Sequence, residues 1–229
     1  SYGFIEGFYY KPRIDIELLK KYHKGIIASS ACLAGPVSRN ILQVSYEKAK
    51  EVALEYDEIF GRGNFFLELQ DHGMKEQKIV NHALIRMSKE TGIPLICTND
   101  SHYIRKEDSV PHDILLCIQT GKTVNDEDRM RYEGGQFYLK SIDEMYELFP
   151  YAEEALENTW NIAERCNVEF TFHDLKLPKF DVPEGKTAAQ YLRELCFDGF
   201  YKKYKNPSKE LEERLVYELN IIEQMGYVD

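Results

Sequence analysis

Two residues of metal-binding type, Asp100 and His102, follow an apolar run within the segment Ile93-Pro-Leu-Ile-Cys-Thr-Asn-Asp-Ser-His-Tyr103. The run at residues 94–97 predicts a buried strand. Side chains alternate along an extended backbone, so a spacing of two predicts that both groups point to the same side. Barrel enzymes carry metal or catalytic residues at the carboxyl ends of such strands. The alternative is a turn after a core strand, with Asp100 capping the next helix.

A third residue of this type, Cys32, lies just past another apolar segment, residues 25–31, which also predicts a strand. If the two strands are parallel neighbours, Cys32, Asp100 and His102 arrive at the same face. Thiolate, carboxylate and imidazole together suit zinc or a similar transition metal. Three ligands from two strand ends predict an incomplete polynuclear site, whose other ligands would come from other strands.

A strand is also predicted at residues 65–70, and it brings Glu68 and His72 towards the same region. Glu68 could face the same end of the barrel as the candidate ligands and support them through hydrogen bonds. An edge or salt-bridge glutamate is the favoured alternative. His72, which precedes Gly73, could support the metal ligands in the same way, and for this residue a turn position is favoured over a ligand role.

The elements that must position these residues alternate in type. Helices are predicted at residues 15–23, 45–60 and 75–91, and each precedes one of the three strands. This order predicts an α/β fold with parallel strands joined by right-handed crossovers. Three strands cannot close a barrel, which needs about eight. We therefore expect an open sheet or one arc of a barrel.

Beyond residue 107 the pattern becomes mainly helical. Helices are predicted at residues 108–119, 141–148, 152–166, 187–203 and 209–225, and Ser141-Ile-Asp-Glu144 matches a capping box. Residues 171–184 contain Pro178 and Pro183, which predicts an extended linker. A domain boundary is expected in this linker.

Composition narrows the functional classes. The 229 residues are 43% hydrophobic and 30% charged, which is typical of a globular chain. No apolar run approaches the roughly 20 residues that span a bilayer. The formal net charge of −10 argues against a DNA-binding surface formed by this chain alone. Five scattered cysteines show no disulfide framework, so a reducing, cytoplasmic location is expected.

Several longer motifs are distinctive. They are Gly7-Phe-Tyr-Tyr-Lys-Pro-Arg-Ile-Asp15, Ser30-Ala-Cys-Leu-Ala-Gly35, Leu67-Glu-Leu-Gln-Asp-His-Gly73, Thr98-Asn-Asp-Ser-His-Tyr103, His112-Asp-Ile-Leu-Leu-Cys-Ile-Gln-Thr-Gly-Lys122, Gln136-Phe-Tyr-Leu-Lys-Ser141, Ala163-Glu-Arg-Cys166 and Leu177-Pro-Lys-Phe180. In this order, and over essentially the whole chain, they resemble the catalytic alpha subunits of bacterial DNA polymerase III, which are C-family polymerases.

The resemblance implies a fold and a ligand set. In that family the N-terminal part is a polymerase and histidinol phosphatase (PHP) domain, a distorted β/α barrel that in many members holds three metals with nine ligands. The last three ligands match Cys32, Asp100 and His102, and zinc or manganese is the expected metal. The earlier ligands are expected upstream of Ser1. Residues 1–150 would be the C-terminal part of the PHP domain, 151–183 a connecting helix and linker, and 184–229 the helical start of the polymerase palm.

The resemblance also implies activities and partners. The parent enzyme would be a replicative DNA-directed DNA polymerase that uses magnesium, and its PHP domain could add metal-dependent 3′–5′ exonuclease activity. The polymerase carboxylates are expected beyond Asp229, and the Asp126-Glu-Asp128 triplet is interpreted as a solvated turn. This chain alone is therefore predicted to be inactive. Expected partners are primer-template DNA, deoxynucleoside triphosphates, a proofreading exonuclease subunit and the sliding clamp, with no membrane.

Two alternatives remain open at this stage. A stand-alone PHP phosphoesterase would fit the Asp100–His102 pair, but the helices after the linker extend past what a small phosphatase needs. A non-catalytic docking module for a proofreading exonuclease subunit is the other alternative.

Overall fold

The computed structural model describes residues 1–172 and 178–228. These residues form ten α-helices and three β-strands. In chain order they are α1 (Tyr2–Ile5), α2 (Ile16–Tyr22), β1 (Ala28–Ser29), α3 (Pro36–Gln43), α4 (Tyr46–Phe60), β2 (Phe65–Leu69), α5 (Lys75–Thr91), β3 (Leu95–Cys97), α6 (Ser109–Thr120), α7 (Ile142–Leu148), α8 (Glu153–Arg165), α9 (Ala188–Lys203) and α10 (Lys209–Gln224).

Local signals in the sequence fix many helix ends. The Asp15 carboxylate accepts a hydrogen bond from the Leu18 amide at 2.8 Å and begins α2. The Ser45 hydroxyl accepts one from the Lys48 amide at 3.1 Å and begins α4. Gly92 ends α5 in the left-handed conformation, with φ of 74°. These ends agree with the predicted ones.

The three strands form one parallel sheet in the order β1-β2-β3. The paired residues are Ala28 with Phe65, Ser29 with Phe66, Leu67 with Leu95, Glu68 with Ile96 and Leu69 with Cys97. Since all three strands run in the same direction, their carboxyl ends lie at one edge of the sheet. The predicted α/β class with parallel strands is confirmed.

Helices bury one face of this sheet. The helices α4 and α5 pack against β2, and α8 packs against β3, where the Asn158 amide donates to the Leu95 carbonyl at 2.8 Å. The core combines alternate β2 residues with the inner faces of these helices and of α3. Its fully buried members include Val37, Ala49, Ala53, Leu67, Leu69, Leu84, Met87, Ile93 and Phe149. This buried core supports the edge of the sheet at which the strands have their carboxyl ends.

Two predictions for the first segment need correction. The strand expected over residues 25–31 is only two residues long, because Gly25 and Ala31 have positive φ angles of 77° and 60°. Such angles interrupt an extended backbone. The turn expected at residues 32–36 leads directly into α3, since Gly35 is its N-cap and Pro36 occupies its first turn.

The chain divides into two compact units, residues 1–167 and 168–228 of the described chain. The first contains the sheet and α1 to α8, and the second contains α9 and α10. Residues 173–177, within the predicted linker and including Leu177 of one quoted motif, lie outside the described residues. The assignment of residues 1–150, 151–183 and 184–229 to separate functional regions stays a prediction. Within the described ranges, no helix has the length and apolar composition needed to cross a bilayer.

Candidate functional site

A cleft of about 890 Å³ lies at the carboxyl edge of the sheet. Its walls come from the segments after β1, β2 and β3 and from the loop between α6 and α7. Among its lining residues are Cys32, Gln70, His72, Asp100, Arg129, Arg131, Tyr132 and Phe137. The parallel strands thus bring Cys32 and Asp100 to one cleft, whereas His102, which was expected with them, is not among the residues that line it.

Cys32 lies in a tight turn between β1 and α3. Its carbonyl accepts a hydrogen bond from the Gly35 amide at 2.9 Å. A side chain at Gly35 would place its Cβ 2.2 Å from the Ser30 carbonyl oxygen, so only glycine fits there. The Cys32 thiol is free and half-buried, which leaves it accessible from the cleft.

The segment that carries Asp100 is not extended. Strand β3 ends at Cys97, and Asp100 has a φ of 45°, in the left-handed region that few residues other than glycine adopt. The expectation that alternation along a strand orients Asp100 and His102 is therefore wrong. Their orientation comes from hydrogen bonds made by this turn.

His102 is exposed, and its ring is oriented by its own turn. The Nδ1 atom lies 2.8 Å from the Asp100 carbonyl oxygen, and because a carbonyl only accepts, Nδ1 carries the proton. In the neutral ring, Nε2 then has a lone pair available for a metal. The ring also contacts Tyr132 at 4.4 Å and Phe137 at 5.4 Å between centroids.

His72 is buried, and both of its ring nitrogens are occupied. Nε2 donates to the Asn99 carbonyl oxygen at 3.0 Å, and Nδ1 accepts from the Gln77 side-chain amide at 2.7 Å. The ring stacks on Phe137 with centroids 4.0 Å apart. Burial lowers the pKa of His72, which keeps the ring neutral. His72 is thus placed to fix the backbone turn at Asn99, in the segment after β3, rather than to bind a metal directly.

Asn99 connects this turn to residues 136–140. Its side-chain amide donates to the Tyr138 carbonyl at 2.8 Å, and its Oδ1 accepts from Lys140 Nζ at 3.3 Å. The backbone amide of His102 also donates to the Phe137 carbonyl at 2.8 Å. The segment after β3 is therefore fixed on two sides, by His72 and by residues 136–140.

Glu68 projects from the middle strand into a polar network across the sheet. Its carboxylate accepts hydrogen bonds from the Ser29 hydroxyl, from Gln70 Nε2 at 2.8 Å and from the Thr98 hydroxyl at 2.5 Å. Glu68 and Cys32 both line a small cavity of about 10 Å³, close to the volume that one water needs. The sequence favoured an edge or salt-bridge position for Glu68 over a supporting role, and it gave no sign of the hydroxyl partners, which belong to the segments of the two neighbouring strands.

The donor types at this edge fit zinc or manganese only in part. Cys32 and Asp100 share the cleft, and His102 presents a suitable nitrogen. Among the residues that the structure describes, however, no three His, Cys, Asp or Glu side chains are grouped closely enough to hold an ion. The cleft therefore supplies separate donors rather than an assembled ligand set.

Comparison with known proteins identifies relatives over nearly the whole chain. Residues 1–72 match the PHP domain family. The DNA polymerase III subunit alpha of Borreliella burgdorferi is 45% identical over 99% of this chain, and that of Treponema pallidum is 44% identical over 100%. The corresponding protein of Thermus aquaticus is 41% identical over 96% of the chain.

The matched region is a limited part of each relative. It covers 20% of the first two proteins and 18% of the third. The chain thus spans about one fifth of the length of these relatives. Together with the PHP match, these identities confirm the resemblance inferred from the motifs: the chain is related, over nearly its whole length, to a segment of the alpha subunits of bacterial DNA polymerase III.

Proposed function

We propose that this chain is a segment of a replicative DNA-directed DNA polymerase. The observation that carries the proposal is the 45% identity over 99% of the chain with an alpha subunit. The parent enzyme would transfer nucleotides from deoxynucleoside triphosphates to a primer 3′ end in the cytoplasm, with magnesium as its cofactor. Its partners would be primer-template DNA, a proofreading exonuclease subunit and the sliding clamp.

The segment itself is proposed to be inactive in polymerisation. Two-metal catalysis needs carboxylates that hold two ions about 3.5–4 Å apart. The nearest pattern, Asp126 with Asp128, lies in a loop, where the Asp126 carboxylate accepts a hydrogen bond from the Thr123 amide at 2.6 Å. That bond is typical of a turn, and it supports the interpretation of the triplet as structural.

A primer-extension assay tests both statements. The 229-residue chain with magnesium should extend no primer, whereas a longer protein that contains this segment should extend it in a template-dependent way. Synthesis by the segment would contradict its proposed inactivity. Failure of the longer protein would contradict the polymerase assignment.

We further propose that Cys32, Asp100 and His102 supply three ligands of a zinc or manganese site of PHP type. The shared cleft of Cys32 and Asp100 and the Nε2 lone pair of His102 support this assignment. Glu68 and His72 would support the site without binding the ion. His72 fixes the carbonyl beside Asp100, and Glu68 orders the hydroxyls around the strand ends.

A bound metal at such a site would polarise a phosphoryl oxygen and activate water, which is the chemistry of 3′–5′ exonucleolytic cleavage. The chain's own residues would orient that reaction. Asp100 and His102 are held by the turn after β3, and Cys32 by the Gly35 turn. Catalytic zinc sites commonly have three protein ligands, but these three donors are not grouped closely enough among the described residues to hold an ion by themselves, so a complete site would need further ligands.

Cobalt(II) substitution gives a direct test of metal binding. Titration of a longer protein that contains this segment should produce the absorption band of a cobalt–thiolate bond, and Cys32→Ser should abolish it. Cys166→Ser is the matched control, because Cys166 is exposed and lies outside the cleft. A band that survives Cys32→Ser but disappears with Cys166→Ser would refute the assignment, as would the absence of any band.

A further inference from the structure

A second cavity, of about 450 Å³, lies beside α5 and shares no lining residue with the cleft that contains Cys32 and Asp100. Most of its wall belongs to α5, and Asp71 and Tyr151 complete it. We call this cavity the α5 groove. Its residues from α5 are Lys78, Asn81, His82, Ile85 and Lys89.

One stripe of the helix supplies most of these side chains. Positions 78, 82, 85 and 89 are separated by four, three and four residues, the spacing that brings side chains to one face of a helix. Each residue of an α-helix rises 1.5 Å, so Lys78 and Lys89 lie about 16 Å apart along the axis. Ile85 lies between them and is half-buried. The stripe therefore has a cation at each end and an apolar side chain in between.

The two lysines of the α5 groove are exposed, and their charges are not balanced by neighbouring acids. In the described part of the chain, the ion pairs of α5 join Lys50 and Arg86 to Glu90, and neither Lys78 nor Lys89 takes part in them. Two separated positive charges favour a ligand with two separated negative charges.

Two hydrogen-bond acceptors in the groove favour a peptide among anionic ligands. His82 donates from Nδ1 to the Lys78 carbonyl at 2.7 Å, so in the neutral ring Nε2 keeps a lone pair. Asp71 accepts from the Gly73 amide through Oδ1 at 2.8 Å, and within the described residues no donor contacts its Oδ2. A peptide backbone has N–H donors for both acceptors. The phosphate groups of a nucleic acid strand only accept, and the charge of Asp71 would repel them.

We propose that the α5 groove binds an acidic, extended peptide segment of another protein. Side chains two and four positions apart on an extended backbone face the same side, with a rise of about 3.3 Å per residue. Two acidic residues four positions apart are therefore separated by about 13 Å, and the flexible side chains of Lys78 and Lys89 cover the remaining distance. The residue midway between them would be apolar and contact Ile85 and Tyr151. This inference depends neither on the metal site nor on the polymerase assignment.

Fluorescence anisotropy with labelled peptides tests the spacing, on a longer protein that contains this segment. The matching peptide has glutamate at its first and fifth positions, leucine at its third and serine elsewhere. The control peptide has the same composition, with glutamate at its first and fourth positions, which face opposite sides. The matching peptide should bind about threefold tighter, because only one carboxylate of the control peptide can pair with a lysine of the groove.

Charge substitutions test the location. A variant that combines Lys78→Gln and Lys89→Gln should bind the matching peptide about fivefold more weakly, because each exposed ion pair makes a modest contribution. A variant that combines Lys75→Gln and Lys122→Gln loses the same charge outside the groove, and it should bind as the parent protein does.

Each alternative occupant of the groove gives a different result. Equal affinities of the parent protein and the Lys78→Gln, Lys89→Gln variant would overturn the inference, as would equal affinities for the two peptides or no binding of the matching peptide. A single-stranded oligonucleotide that binds tighter than the peptide, and loses affinity in the same variant, would overturn it in favour of a nucleic acid strand. Self-association that this variant abolishes would overturn it in favour of a second copy of the protein.

Discussion

The Nε2 atom of His72 lies 3.0 Å from the backbone carbonyl oxygen of Asn99, and this bond joins the segment after β2 to the segment after β3. Gln77 at the start of α5 holds the other side of the same ring, and its Oε1 also accepts from the His72 backbone amide at 2.7 Å. The position of Asp100, the next residue after Asn99, therefore depends on a buried imidazole from a different strand segment.

Replacing His72 with phenylalanine should weaken metal binding without removing a ligand. The ring of Phe would keep the stacking on Phe137 but lose both hydrogen bonds, so the Asn99 turn would loosen. Changes of residues that orient metal ligands typically cost about 10- to 100-fold in metal affinity. Cobalt titration of His72→Phe, made in a longer protein that contains this segment, measures this loss. His82→Phe, on the exposed side of α5, should bind cobalt as the unchanged longer protein does, and equal affinities in all three proteins would contradict the role of His72.

The central strand should be the most sensitive part of the core. Leu67 is fully buried in β2 between β1 and β3, and Leu67→Ala would leave a cavity that the surrounding sheet cannot fill. The free energy of unfolding should fall by about 2–5 kcal/mol. Urea denaturation followed by circular dichroism measures the change. Ile79→Ala, at a position 57% exposed on α5, should change it by less than about 0.5 kcal/mol.

Glu90 should make stability depend on pH in the acidic range. Hydrogen bonds from Lys50, Arg86 and Tyr46 lower the pKa of Glu90 to about 2, and two of these partners belong to α4. Because the folded state favours the ionised form, this stabilisation is present above the unfolded pKa near 4.5 and is lost as the pH falls towards 2.

Thermal unfolding of Glu90→Gln tests this linkage. The variant should melt at a lower temperature than the parent chain at pH 7, and the two curves should converge between pH 4.5 and 2. Glu58→Gln, an exposed change on α4, should have the same melting temperature as the parent chain at each pH. A difference for Glu90→Gln that stays constant down to pH 3 would contradict the assigned cause.

Loss of the Asp113 carboxylate should destabilise the loop through Arg129. Asp113→Ala would leave a buried guanidinium without its partner, and its Nε already has none among the described residues. We expect a clear loss of stability, because Arg129 would keep its charge without the carboxylate that pairs with both of its terminal nitrogens. Urea denaturation gives the value, and Glu127→Ala in the same loop is the control. If the stabilities of Asp113→Ala and the parent differ by less than about 0.5 kcal/mol, the pair contributes little.

Local signals in the sequence predict most of the regular elements and their order, but not the helices α1 and α3. Caps such as Asp15, Ser45 and Gly92 are local signals, and the alternation of helix and strand implied parallel strands. One signal was overlooked: Gly35 followed by Pro36 is a common helix start, and it begins α3.

The details of the site were less accessible to sequence reasoning. The turn at Asp100 is the alternative that the sequence left open, but its left-handed φ also depends on tertiary contacts, because the preceding residue is fixed by His72, Tyr138 and Lys140. The partners of Glu68 come from all three strand segments, and they could be identified only once the register of the sheet was known. Composition and spacing gave the types of candidate ligands, whereas tertiary contacts determine how those ligands are oriented.

The attachment of residues 136–140 to the turn after β3 has a practical consequence for shortened versions of this chain. A piece that stops before Gln136 would retain all three candidate ligands in its sequence. It would nevertheless remove the aromatic ring that covers His72 and the carbonyl that receives the Asn99 amide. The match to the PHP family at residues 1–72 is therefore a poor guide to where such a piece can be cut, because the ligand-bearing turn is completed by a segment far beyond the end of that match.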